Sequence, residues 1–273
     1  MPFFSLPSGP ITHDWLKAMV LQHDDADERA RDAIEQRTIR ELRRALREMQ
    51  ETLFPTGYLP EDPSAEIAKV SRAFTEEQRL YDAVSRALQD SADLGVSVAV
   101  SQLEGMGYGF DWTLAHVNAR NWALTYTDTL LQQLGTTSSA VVGQAITRWI
   151  DNGEPLESLI RDITPAFGRQ RAELIGITEV TRAYAEGTVA GYRESGVIKY
   201  LQWRTANDEI VCPICWPLNG AIVGIEGSFF NKLPDEQQDA LARRVNARFQ
   251  RPPAHPRCRC GIVGYVEEVT ADG

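Results

Sequence analysis

All four cysteines of this 273-residue chain fall in two short runs near its C-terminal end, Cys212-Pro-Ile-Cys215 and His255-Pro-Arg-Cys258-Arg-Cys260. Two cysteines separated by two residues can grip one metal ion from a single tight turn, and a second such turn completes a tetrahedron of sulfur and nitrogen donors. Cys212, Cys215, His255, Cys258 and Cys260 are therefore five candidate ligands for four positions. Either four thiolates bind and His255 sits outside them, or three thiolates and His255 bind and one thiol is left over. The 39 residues between Cys215 and His255 exceed zinc-finger spacing, but closure entropy grows only logarithmically with loop length. Two disulfides are the competing reading, with three pairings open to four cysteines. The first twenty residues lack the basic start of a secretory signal and are broken by prolines, so a reducing compartment and a structural zinc are expected. A catalytic zinc would keep an open position beside a placed general base, and no such base accompanies these runs.

The residues around the cysteines carry a resemblance. Trp203-Arg-Thr-Ala-Asn-Asp208-Glu209-Ile-Val-Cys212-Pro-Ile-Cys215-Trp-Pro-Leu218-Asn219-Gly220, followed by Pro252-Pro253-Ala254-His255-Pro256-Arg257-Cys258-Arg259-Cys260, resembles the C-terminal domain of tailed-phage minor head proteins, the head morphogenesis proteins of the phage Mu F type. Upstream, the run Arg171-Ala-Glu173-Leu-Ile-Gly-Ile-Thr178-Glu179-Val-Thr-Arg182-Ala is similar to the helix that precedes this module. The likeness covers roughly residues 135 to 266, and the segment 221–251 is longer and more charged than the family core. The resemblance implies a structural protein built into the phage head near the portal vertex, with the portal or the major capsid protein as neighbours. It also implies assembly in the host cytoplasm, contact with packaged DNA and a part in DNA delivery. It implies neither catalysis nor a small-molecule substrate.

The elements that must position these runs are mostly helices. Residues 1–23 mix prolines and glycines with Phe3, Phe4, Leu6 and Trp15 and read as an extended arm. From Asp24 to about Phe54, Ala26, Ala30, Ala33, Ile34, Leu42, Leu46, Met49 and Leu53 recur at helical intervals, with acids at the start where the helix dipole favours them. Packing within a bundle is expected in preference to a coiled coil. A second apolar pattern runs from Ser64 to Ala99. A third helix is expected from about Thr113 to Leu134, with Leu114, Val117, Trp122, Leu124 and Leu130 or Leu131 inward and Gly135 as its stop. Thr136 to Ser139 would cap the next helix, reaching Ile150. A short helix over Glu154–Ile163 and a long one over Gln170–Ser195 follow. Glu173 with Arg169, and Glu179 with Arg182, are spaced to pair on that helix.

After Gly196 the pattern changes to alternation: Val197 to Arg204 and Gly261 to Val266 read as strands, with a hairpin continuation over Ala221–Ile225. Pro234 to about Gln250 reads as an inserted helix. The expected fold is α+β and mostly α: an arm (1–23), an elongated helical part (24–195) and a small zinc-stapled mixed β-domain (196–273). Asp208, just ahead of the first cysteine run, is placed to accept backbone N–H bonds and hold the turn.

The net charge of −10 argues against bulk coating of nucleic acid. Residues 196–273 hold nine basic and nine acidic groups, so the whole excess lies in residues 1–195. Residues 240–266 contain Arg243, Arg244, Arg248, Arg251, Arg257 and Arg259 and no acid. These arginines either offset a thiolate-bound zinc or meet an anionic partner, for which Arg243, Arg244, Arg248 and Arg251 are the candidate contacts. No apolar run reaches the ~20 residues of a membrane span. The competing class of function is a zinc-supported nuclease or transferase acting on nucleic acid. It would require a convergent polar pocket with a nucleophile or base. His13, His23 and His116 are scattered, and no such constellation is legible.

Overall fold

The computed structural model describes residues 25–60, 62–205, 212–245 and 249–265. The arm expected at 1–23, Asp208 and Arg248 lie outside the described residues, and Arg243 and Arg244 are described only as helix backbone. Among the described residues, six helices form the body: α1 (Asp25–Leu53), α2 (Pro63–Glu76), α3 (Gln78–Gly105), α4 (Thr113–Asn152), α5 (Leu156–Phe167) and α6 (Arg169–Ser195). Three strands follow, β1 (Tyr200–Arg204), β2 (Ile222–Gly224) and β3 (Gly261–Tyr265), with α7 (Asp235–Val245) between β2 and β3. The mostly helical α+β architecture expected from the sequence is present. No helix is long and apolar enough to cross a membrane among the described residues.

The helix ends follow local chemistry. Asp62 caps α2 by accepting from the Ser64 amide at 2.9 Å, with Pro63 at the first helical position. The pattern over Ser64–Ala99 is two helices, because Glu77 is extended (ψ 105°) and restarts the chain as the cap of α3. Conversely, the two helices expected on either side of Gly135 are one, α4. Gly135 does not end it. A Cβ there would lie 2.9 Å from the Ser71 carbonyl oxygen, so the missing side chain admits α2 rather than breaking α4.

The inward face of α4 also differs from the expected one. Leu114, Val117 and Leu124 are exposed, while Ala115, Ala119, Ala123 and Thr127 are buried. This buried stripe is made of small residues, on a helix that packs against α2, α3 and α6. In α1 the buried face runs through Glu35, Thr38, Ile39, Leu42, Leu46 and Met49, and Ala26 and Ala33 face outward.

β1 is the centre of an antiparallel sheet of order β2-β1-β3, with Leu201 opposite Val223 on one side and Gly264 on the other. Trp203 is fully buried, edge-on to Phe229 with ring centroids at 5.2 Å. This second core is shared with the body: Ala99 and Leu103 of α3 and Val189 and Tyr192 of α6 belong to it.

Candidate metal centre

The first cysteine run lies just before a short 3₁₀ turn (Trp216–Leu218). The amides of Cys215 and Trp216 donate to the Cys212 carbonyl at 3.1 and 3.0 Å, and the Cys215 amide also reaches the Cys212 Sγ at 3.4 Å. The turn thus aims both sulfurs to one side. The second run closes the same way. The Cys258 amide donates to the His255 carbonyl at 3.1 Å, and Arg257 takes a left-handed conformation (φ 63°) that reverses the chain. β3 starts immediately after Cys260, so the sheet anchors this turn beside the first.

The donor atoms converge as two triads that share Cys215: Cys212, Cys215 and His255, and Cys215, Cys258 and Cys260. His255 Nε2 lies 2.9 Å from Cys212 Sγ and 3.2 Å from Cys215 Sγ, and Cys215 Sγ lies 3.8 Å from Cys258 Sγ. Tetrahedral bonds of about 2.3 Å to sulfur and 2.0 Å to nitrogen place sulfurs about 3.8 Å apart and nitrogen about 3.5 Å from sulfur. The sulfur pair matches, and the histidine contacts, at 2.9 and 3.2 Å, are shorter than that spacing. All four cysteines are free, so the disulfide alternative is not realised here.

Two further features fit a cation. His255 Nδ1 lies 2.8 Å from the Pro256 carbonyl, which can only accept, so a neutral ring carries its proton on Nδ1 and offers the Nε2 lone pair toward the sulfurs. The buried thiols cannot all ionise alone. S–H bonds to Cys258 and Cys260, together with burial, push the Cys215 thiol up, whereas donation from Cys215 and Cys260 holds the Cys258 thiolate low. A divalent cation would hold several thiolates at once. These clusters can therefore bind a metal ion.

The arginines of this region do something the sequence did not indicate. Arg259 makes two bonds to buried Glu35 of α1, at 2.6 and 3.1 Å. The Arg257 amide donates to Thr178 Oγ1 at 3.0 Å, and its guanidinium lies 3.6 Å from Glu173. Arg251, expected as a contact for an external anion, is instead buried against Glu186 at 3.1 Å. Its charge is compensated inside the protein. The three pairs tie the second cysteine turn to α1 and α6. Glu186 still feels burial, which raises its carboxyl above the usual range against the pull of Arg251 and Arg182.

The pairs expected on α6 are present, Arg169 to Glu173 at 2.5 Å and Arg182 to Glu179 at 2.9 Å. Tyr126 of α4 donates to Glu179 at 3.1 Å, and burial first, then Glu179, pushes its phenol up. This cluster joins two helices. His116 pairs with Asp93 at 3.0 Å, away from the cysteines. Glu35 was missed because a buried acid interrupts an apolar pattern instead of extending it.

Residues 140–263 match the family model described as Phage Mu protein F like protein, which bears out the resemblance to phage head morphogenesis proteins over that stretch. The match begins within α4, ends in β3 and contains all five donors. No curated protein and no solved structure matches the chain.

Proposed function

We propose that this chain, which matches the phage Mu F-like family over residues 140–263, is a structural head morphogenesis protein of a tailed phage. It is incorporated into the head near the portal vertex during assembly in the host cytoplasm, and its neighbours are the portal or the major capsid protein. The observation that carries this reading is the family match, because it spans the cysteine turns and the helix that supports them. A part in DNA delivery belongs to the same reading. The helical body supplies the contact surface, and the C-terminal region supplies a rigid end. Mass spectrometry of purified heads from the phage encoding the chain tests it. The protein is expected in few copies per head, and mature heads lacking it would overturn the reading.

The metal in this reading is a structural zinc held by Cys212, Cys215, His255 and Cys258. Three thiolates and one neutral imidazole suit zinc, and the histidine tautomer supports its inclusion. Cys260 would stay outside the shell and donate its S–H to the Cys258 thiolate. Zinc would supply cross-linking between the two turns and no chemistry, since all four positions are filled. Elemental mass spectrometry is expected to find about one zinc per chain. Cys260→Ser should retain it and Cys258→Ser should lose it; the reverse pattern would exchange the two roles.

A further inference from the structure

Where α1 passes the junction of α5 and α6, a cleft of about 360 Å³ is lined by Arg40, Arg43, Arg44 and Arg47 of α1 and by Gly168 and Arg169. The four α1 arginines recur three and four residues apart, so they crowd one exposed strip of the helix. Like charges at that spacing destabilise a helix, and only part of the charge is offset. Arg44 meets Glu48 at 2.9 Å, Arg47 lies 3.8 Å from Glu51, and Arg169 holds Glu173 at 2.5 Å. Arg40 and Arg43 make no hydrogen bond or ion pair among the described residues, and Arg43 senses Glu173 only at longer range. The N-terminus of α6 opens into the same cleft, with Gly168 providing no side-chain cap. Its helix dipole adds further positive potential.

The volume lies at the low end of ligand pockets, about 300–1,000 Å³. Phe167 lies at the cleft but is 1% exposed, so it offers no face on which a base could stack. Charge and geometry therefore select for oxyanions over rings. Guanidinium forks match the oxygens of phosphate, and a helix N-terminus adds amide donors of the same preference. We propose that this cleft binds phosphoryl groups, with Arg40 and Arg43 as the two cations free to receive them. The inference uses none of the residues of the metal centre and stands whether or not the chain is a head protein.

Titration calorimetry on the full chain tests it, with inorganic pyrophosphate as the probe and short duplex DNA as a second titrant. Pyrophosphate should saturate one site. Arg40→Glu with Arg43→Glu should weaken binding at least about tenfold, as expected for loss of charge-assisted bonds. Arg72→Glu, an exposed arginine on α2 outside the cleft, should leave binding unchanged. The milder pair Arg40→Gln with Arg43→Gln should weaken it while the melting temperature holds, since both side chains are exposed. If DNA displaces pyrophosphate, the phosphates belong to a polynucleotide backbone; if only pyrophosphate binds, the ligand is a small free phosphate. Absence of saturable binding by either titrant, or equal weakening by Arg72→Glu, would overturn the proposal.

Discussion

In the helical body, continuous apolar faces meet along whole helices. Leu42, Leu46, Phe74, Leu88 and Ile146 are fully buried. At the crossing of α3 and α6 a Cβ on Gly187 would sit 1.9 Å from the Ala92 carbonyl oxygen. The C-terminal region has three short strands among the described residues, and its core borrows Ala99, Leu103, Val189 and Tyr192 from the body. Apolar burial along whole helices dominates the first region. The second depends on discrete cross-links: the cysteine and histidine donors within it, and Arg251, Arg257 and Arg259 reaching Glu186, Glu173 and Glu35 of the helices. A small region with few strands needs such links because its own burial cannot offset the entropy of ordering it.

The contrast can be broken most strongly at Cys215, the atom common to both donor triads. Cys215→Ser is expected to abolish metal binding and forfeit folding free energy on the order of 10 kcal/mol. Limited proteolysis should then cut within residues 212–265 while α1 to α6 stay intact. Protection of that region after chelation would show that it does not rely on the metal.

Next in size is the link between the regions. Arg259→Ala strands Glu35, whose side chain is 3% exposed, while Arg259 itself is 39% exposed; solvent screening on the arginine side puts the cost at the low end of that for breaking a buried pair, about 3 kcal/mol. Urea unfolding of Arg259→Ala, Glu35→Gln and the double variant should give strong coupling. Additive effects would mean that the pair does not join the regions.

Within the body, Gly187→Ala forces α3 and α6 apart, at about 3 kcal/mol for overpacking. Thermal melts should show a lowered midpoint without loss of bound metal. Retained stability would indicate that the body, too, adapts at its closest crossing.

The smallest effects concern pH. Bonds from Arg44 and then Arg79 hold the Glu48 carboxyl below its usual value, and Arg193 does the same for Glu226 in the C-terminal region. A pKa lowered by folding means that the unfolded chain binds more protons on acidification. The contribution is present above about pH 4.3 and is lost as pH falls through the folded pKa. Glu48→Gln and Glu226→Gln should each slightly flatten the acid limb of stability against pH. An unchanged limb would mean that these exposed pairs contribute nothing.

Much of the body was legible because helices announce themselves locally. The boundaries of α1 and the stop of α6 at Gly196 (φ 64°) follow from apolar spacing and a left-handed glycine. The same reasoning misplaced a stop at Gly135 and turned Leu114, Val117 and Leu124 inward. A glycine that admits a neighbouring helix looks identical, in sequence, to one that ends its own. In α4 the buried stripe is Ala115, Ala119 and Ala123, and alanines give a weaker periodic signal than the leucines beside them.

The sequence by itself determined the five candidate donors of the metal centre, the helical character of the body and the change to strands after Gly196. Each of these rests on residue type and short spacing, which hold before the chain folds. Only the tertiary structure decided that Cys215 belongs to both triads, that Arg251 faces inward, and that Arg259 finds Glu35 across 224 positions of sequence. Residues so far apart are brought together by the packing of every helix between them, and no local pattern records that.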